Sequence, residues 1–492
     1  MFSTRHLRLL SVILLLAAIT FGAIGSSAAP KPSGVSRSSV TNNNNHDDDD
    51  DNGPQRTLIR KAALVITMDP SLGTGPLGLI ENGDVLFEGD HIVAVGQNLS
   101  ADHADVINAK GKIVMPGFIE THNHMWQTVV RGCESDEAFD AWATGCTRPL
   151  MSGAGLLTKE DVYAAVRLGT LDAIGTGTTT SVEFSHAPSL DFANGTLDAL
   201  EDSGMRFFLA YRFRIGREAH VRSIFHDRIE TNPVAGLQIG GPLATSDPAN
   251  LADLNASIVM ARELGVMLHL HFLETINDRA ANPVGVLQSS TNVFDGTFDG
   301  RLLLGHAIHV TDAELDILAA HNARIAHNPL SNMRLASGVI RLPQMHDRNM
   351  KIGLGYDGGT NDTSDMFNTM RTAMGLQRAT TLNAKIYPGV NDVLRMSTLG
   401  GAEVLGIADK VGSLTPGKKA DIIILDPATV NFAPQVDWVS QIVLNGQPRN
   451  VQWVFVNGET LMKKGKFVGV DEEEVIQEAE AAVDRINTRL GR

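Results

Sequence analysis

Between about residues 115 and 405 of this 492-residue chain, short runs rich in small and β-branched residues alternate with longer stretches of helical periodicity. The strand-like runs are "VMPGFIETHNH", "TTTSVEFSHA", "RFFLAYRFR", "GLQIGGPLA", "VMLHLHFLE", "RLLLGHAIH", "RIAHNPLSN" and "KIGLGYDGG". Each is followed by a segment able to form a helix, for example "KEDVYAAVRLGTLDAIGTG". Eight strand-then-helix units over about 290 residues predict an α/β fold, a closed parallel (β/α)8 barrel whose functional groups collect at the C-terminal strand ends. The competing arrangement is an open doubly wound sheet, but no GxGxxG phosphate fingerprint follows an early strand.

The flanks read differently. Residues 57–114 hold short strands broken by Asn82-Gly83 and by Glu88-Gly89-Asp90, which suits antiparallel hairpins. The same rhythm returns over residues 409–470 in "GSLTPGKKADIIILD" and "VQWVFVNGETLMKKGKFVG". Both ends are therefore expected to build one small β-sandwich, with the barrel, residues 115–408, inserted between them. Residues 471–492 are read as a C-terminal helix.

Before Arg56 the chain is of another kind. Residues 1–29 carry Arg5 and Arg8, then an apolar run from Leu9 to Ile24, then Gly25, Ser26, Ser27, Ala28 and Ala29. That order resembles a secretory signal peptide, and the run falls short of the ~20 residues that span a bilayer. Residues 30–56 are Ser-, Asn- and Asp-rich and read as a solvated linker. A secreted protein with no lasting membrane association is expected, an uncleaved anchor being the alternative. Cys133 and Cys146 could then pair in an oxidising compartment, which the sequence alone leaves open. Sequons at Asn98, Asn194, Asn255 and Asn361 permit N-glycosylation in a eukaryotic host.

Composition excludes several classes. A net charge of −15 argues against nucleic acid as a partner, although the run Asp47–Asp51 supplies a third of it. Two cysteines exclude a zinc site built from cysteine clusters, and the spacing of Cys133 and Cys146 does not give the P-C-x-x-C signature of the cytidine deaminase fold. No G-x-S-x-G elbow follows a strand.

Chemistry is written at three strand ends. The first run ends in His122, Asn123 and His124, and strand alternation puts both imidazoles on one face, able to chelate one ion. The fifth ends in His269, Leu270 and His271, again one face, with Glu274 just beyond, where a carboxylate can reach a bound water. The eighth ends in Asp357 within "LGYDGG", a suitable oxygen ligand, although such an aspartate is also an ordinary turn residue. Imidazoles and carboxylates meeting at one rim are the equipment of metal-assisted hydrolysis.

Together "PGFIETHNH", "HLHFLET", "GHAIH", "NPLSNMRLASG", "LGYDGG" and "GSLTPGKKADIIILD" resemble the amidohydrolase superfamily in order and spacing. The likeness is to its mononuclear branch, with cytosine and guanine deaminases, methylthioadenosine/S-adenosylhomocysteine deaminases and triazine hydrolases. The resemblance implies metal ligands at His122, His124, His271 and Asp357, and it selects His271 over His269, which alternation cannot do. It further implies proton shuttling by Glu274 and a catalytic role for His306, with His309 as the competing histidine. Binuclear members carry a bridging lysine after the fourth strand. None stands in "AGLQIGGPLA", so a single divalent ion is implied, zinc, with ferrous iron as the alternative. Tyr356, where a small residue usually stands, is expected to narrow the mouth.

The expected reaction is hydrolytic deamination of an aminated N-heterocycle, a small-molecule substrate. Asp357 would take the water proton, Glu274 would pass a proton to the ring, and His306 would stabilise the tetrahedral centre. Trp126 and Gln127 are candidate substrate-binding groups, although Met125 and Trp126 could equally pack the first loop. Glu183 and His186 either face the pocket or support it, and Arg212 and Arg214 either bind an anion or form ion pairs. The rivals are an amidase or lactamase using the same centre and a barrel that binds without turnover. Hydrophobic strand edges in the small domain leave a homo-oligomer open.

Overall fold

Two sheets, drawn from different parts of the chain, organise the computed structural model, which describes residues 54–492 apart from 362 and the side chains of 360 and 361. The expected signal peptide at 1–29 and the linker up to residue 53 lie outside the described residues. Arg56, read as linker, already begins a strand.

From the N-terminal side come β1 (Arg56–Ile66), β2 (Leu79–Glu88), β3 (His91–Gly96), β4 (Asp105–Asn108) and β5 (Ile113–Pro116). The barrel strands follow: β6 (Phe118–Ile119), β7 (Thr178–Ser185), β8 (Arg206–Arg212), β9 (Ala235–Gly240), β10 (Met267–Phe272), β11 (Leu302–His306), β12 (Arg324–His327) and β13 (Lys351–Leu354). The chain returns to the first sheet with β14 (Ile422–Leu425), β15 (Val451–Val456), β16 (Glu459–Lys463) and β17 (Lys466–Phe467).

The nine-stranded sheet runs β17-β16-β15-β14-β5-β1-β2-β3, with β4 also on β1. β5 is the seam, parallel to β1 and antiparallel to β14, so the two chain ends share one ladder. A bulge between Ile59 and Ala62 lets β1 serve two neighbours in turn, with Lys61 in the left-handed region (φ 62) and its N–H donated to Asp84 Oδ1 at 2.7 Å. Ile59, Val65, Val85, Phe87, Val114, Ile422, Ile424 and Phe455 close a core of their own within this β-sandwich.

All eight barrel strands pair in parallel with their chain neighbours. The bridge Glu120↔Leu354, with Thr121 N–H donated to Leu354 O at 2.9 Å, joins the first strand to the last. All eight residues of β7 are buried, as expected for a strand covered by helices outside and side chains inside. Helices start where the sequence caps them: Thr158 and Asp161 form a capping box before Lys159–Gly175, as do Thr311 and Glu314 before Asp312–Ala320.

Sandwich and barrel are locked by Arg206 at the base of β8, whose guanidinium donates to both oxygens of Asp421 at 2.8 and 3.0 Å, both residues buried. The C-terminal helix Glu472–Leu490 lies against Lys159–Gly175, with Arg485 and Arg489 donating to buried Asp161 at 2.9 and 2.5 Å. Among the described residues no helix is long and apolar enough to cross a membrane.

Candidate metal centre and active site

Four strand ends of the barrel, the first, fifth, sixth and eighth, converge on one buried cluster. His122 Nε2 lies 3.2 Å from Asp357 Oδ1, and His124 Nε2 lies 3.4 Å from the same oxygen. His271 Nε2 is 3.0 Å from His124 Nε2, the two rings stacked. One donor atom from each of these four residues falls within 4.8 Å of every other. Such a spacing suits a shared cation, because the four donor atoms crowd around one point at the end of the barrel. Burial holds His122 and His271 below the usual imidazole range, so both present neutral nitrogens. Burial alone would raise the Asp357 carboxyl, but His306 and the hydrogen bonds of His122 and His124 hold it well below the usual carboxylate range. The donor set, three imidazoles and a carboxylate, fits a divalent metal ion.

Several groups hold these ligands in place. His124 Nδ1 is 2.9 Å from the Phe184 carbonyl, and Ser331 Oγ donates to Asp357 Oδ2. His269, the other histidine of the fifth strand end, also points inward but sits one layer deeper. Its Nε2 is 2.9 Å from His122 Nδ1, and its Nδ1 is 2.9 Å from Gln238 Oε1. Glu120 is wholly buried beneath the cluster and accepts from His122 N–H (2.5 Å), Ser181 Oγ (2.5 Å), Val182 N–H (3.2 Å) and Tyr356 N–H (3.2 Å). Burial lifts its carboxyl to about 8 against the pull of those four donors.

Glu274 and His306 stand beside the quartet. His306 Nε2 is 3.6 Å from Glu274 Oε2 and 3.9 Å from Asp357 Oδ1. Asn332 Nδ2 donates to His306 Nδ1 at 2.9 Å, which leaves the ring proton on Nε2, facing the carboxylates. Burial, reinforced by Asp357, pushes Glu274 well above the usual carboxyl range. The two carboxyls thus differ in proton affinity across a few ångströms. His306 and Asp357 are both held at positive φ (72° and 65°), backbone strain of the kind found where function over-determines geometry.

A cavity of about 250 Å³ opens onto this cluster, walled by Phe139, Trp142, Met151, Phe184, His186 and Arg212, with His124, His271, Glu274 and Asp357 at its floor. Gln127 also lines it while accepting from Gly359 N–H at 3.2 Å.

Three expectations need correction, and the competing histidine His309 is set aside. Trp126 does not reach the cavity: it is fully buried, its Nε1 donating to His186 Nδ1 at 3.1 Å and its ring packed on Phe192. Glu183 is buried too and receives the Met125 N–H at 2.5 Å, so it fixes the first loop instead of meeting substrate. Tyr356 does not narrow the mouth; its hydroxyl runs down the barrel to Thr178 Oγ1 at 2.6 Å. His309 turns away to the Ser337 carbonyl at 2.7 Å. Arg212 lines the cavity and Arg214 is exposed. Cys133 and Cys146 are joined in a disulfide. Sequence reasoning missed Glu120, Ser331, Asn332 and Trp142, although the first shares its strand face with His122 and the next two lie in "NPLSN".

The sequence profile of the amidohydrolase family matches residues 113–461. The chain belongs to that family. Relatives within it include the 5'-deoxyadenosine deaminase of Methanosarcina mazei, 32% identical over 446 residues that cover 88% of this chain and 99% of that protein. The 5-methylthioadenosine/S-adenosylhomocysteine deaminase of Pelotomaculum thermopropionicum is 30% identical over 445 residues, covering 88% and 99%. Among solved structures, an adenosine deaminase from Xanthomonas campestris with bound zinc superposes with a TM-score of 0.77 at 25% identity, covering 89% of this chain and 99% of that one. The atrazine chlorohydrolase of Arthrobacter aurescens, complexed with zinc, shares the fold at the same TM-score and 23% identity, covering 87% and 100%. This amidohydrolase therefore has its ligand quartet on a barrel of known architecture.

Proposed function

We propose that this amidohydrolase is a zinc-dependent deaminase that hydrolyses the exocyclic amino group of an adenine nucleoside. It is a hydrolase of carbon–nitrogen bonds outside peptides. The observation that carries the reading is that Glu274 and His306 cluster with the ligand Asp357, and that Glu274 and Asp357 line the cavity. The deaminase names of the relatives support the ring, and the zinc in the neighbouring structures supports the metal.

When bound by His122, His124, His271 and Asp357, the ion supplies Lewis acidity that brings the pKa of a water from about 15.7 toward 7. Asp357, held deprotonated, would accept a proton from the attacking water as its oxygen adds to the ring carbon. Glu274, held protonated, donates to the ring nitrogen that gains electron density. The His306 Nε2–H stabilises the charge developing at the tetrahedral carbon. Proton return to the amino group then expels ammonia and leaves a carbonyl, so that water and the amine balance ammonia and the oxo product.

Export belongs to the same proposal. Residues 1–29 have the order of a signal peptide, and the Cys133–Cys146 bond suits an oxidising compartment. The mature N-terminus of protein recovered from culture medium should lie near residue 30.

The deciding assay is ammonia release by the zinc-loaded enzyme from adenosine, its 5'-deoxy and 5'-thioether derivatives, aminopyrimidines and small amides. Turnover confined to amides would replace this reading with an amidase. Zinc retention with no turnover across the panel would leave a binding barrel.

A further inference from the structure

The cavity wall carries a covalent feature that the chemistry above does not use. Phe139, Trp142 and Ala143 all line the cavity and all lie between Cys133 and Cys146, the two ends of a disulfide. Residues 134–138, the crest of this loop, are exposed, whereas Trp142 is 3% and Cys146 3% exposed. The hydrogen bonds of Glu137, Trp142 and Thr144 reach only three or four residues back, to Glu134 O, Ala138 O and Asp140 O. Bonds that local wind the loop without anchoring it across the cavity. The disulfide pins Cys146, one turn after Trp142, to Cys133, whose carbonyl accepts from Arg334 at 3.4 Å. The Trp142 indole N–H is buried and has no acceptor among the described residues, which costs free energy that a ligand oxygen or nitrogen would recover.

We propose that Cys133 and Cys146 are positioning residues for the substrate: their bond holds Phe139 and Trp142 as a preformed wall over the cavity, so that a nucleoside binds without first ordering the loop. This rests on the deaminase reading for the identity of the ligand. The bond makes no contact with the cavity floor. Its loss is therefore expected to raise KM and leave the chemical step nearly untouched, because an open loop must be ordered at the expense of binding.

The test compares the oxidised, zinc-loaded enzyme with the Cys133→Ser/Cys146→Ser variant, using adenosine as substrate and amide hydrogen exchange as a second readout. The expected result is a KM about tenfold higher or more, kcat within threefold, equal zinc content, and faster exchange over residues 134–146. A phosphine-reduced wild-type enzyme of verified zinc content should behave like the variant, which covers the case in which the variant folds poorly. Unchanged KM and unchanged exchange would overturn the proposal, as would a loss confined to kcat. Absence of turnover of adenosine and of its 5'-deoxy and 5'-thioether derivatives in the oxidised enzyme would refute the deaminase reading instead, and exchange over 134–146 would still decide the role of the bond.

Discussion

Asp357 donates its backbone N–H to the carbonyl of His122 at 3.0 Å, while its Oδ1 lies 3.2 Å from Nε2 of the same histidine. The last barrel strand is thus tied to the end of the first by main chain and side chain together. Asp357→Asn keeps the main-chain tie and removes the charge. Metal retained after gel filtration at low free zinc should fall at least ~10-fold, read by atomic emission, with the circular dichroism spectrum intact. Full occupancy in that variant would remove Asp357 from the ligand set.

Glu274 offers a cleaner separation, because it lies beside the quartet without belonging to it. Glu274→Gln should lower kcat by about 10²–10⁴ with zinc content unaltered. Near-normal turnover would assign the proton transfer elsewhere.

Glu120 makes no contact with the cavity, yet four donors converge on it. Above about pH 8, where the Glu120 carboxyl is ionised, Glu120→Gln replaces an acceptor with an amide group facing either Ser181 and Val182 or His122 and Tyr356. Urea unfolding should show a loss of about 1–3 kcal/mol, and zinc should dissociate faster because His122 loses its anchor. A variant as stable as the parent would mean that the network tolerates a second donor.

The Arg206–Asp421 pair joins the two sheets out of contact with water. Arg206→Leu strands a buried carboxylate whose remaining donor is Asn457 N–H at 2.8 Å, and should cost about 3–5 kcal/mol. Replacing both residues by leucine should recover much of that loss. Zinc content per folded molecule is expected to be the same in all three proteins.

Acid should destabilise the metal-free protein in a defined window. Burial depresses His306 to about 4 and His327 to about 3, against an ordinary value of 6.5. Between those limits the unfolded chain binds more protons than the folded one, so stability rises with pH and falls on acidification from about 6.5 toward 4, by ~3 kcal/mol for His306 alone. His327, buried without a hydrogen-bond partner among the described residues, contributes with the same sign. His327→Leu should flatten the denaturation midpoint plotted against pH, and an unchanged slope would show that His327 titrates normally.

The barrel was legible because its evidence is periodic: eight buried runs, each followed by a capped or amphipathic segment, leave few ways to hide that much apolar backbone. The returning hairpin pattern likewise foretold the shared sandwich, since β5 and β14 each need a partner strand. Alternation within "HNH" and "HLH" foretold which face the imidazoles occupy, because the strand period is two. It could not rank His269 against His271, which share that face and differ only in depth along the barrel axis.

Depth and direction came from tertiary structure alone. Trp126, next in sequence to the metal motif, turns outward to His186 because the Met125 N–H is captured by Glu183, a residue of another strand. Trp142, with no motif to mark it, reaches the cavity because its loop folds back across the barrel mouth with its ends joined covalently. Local sequence determines which residues can share a strand face, since that is a matter of backbone period. Which of them meet a common ion or substrate depends on contacts between distant segments, and those are set by how the whole barrel closes.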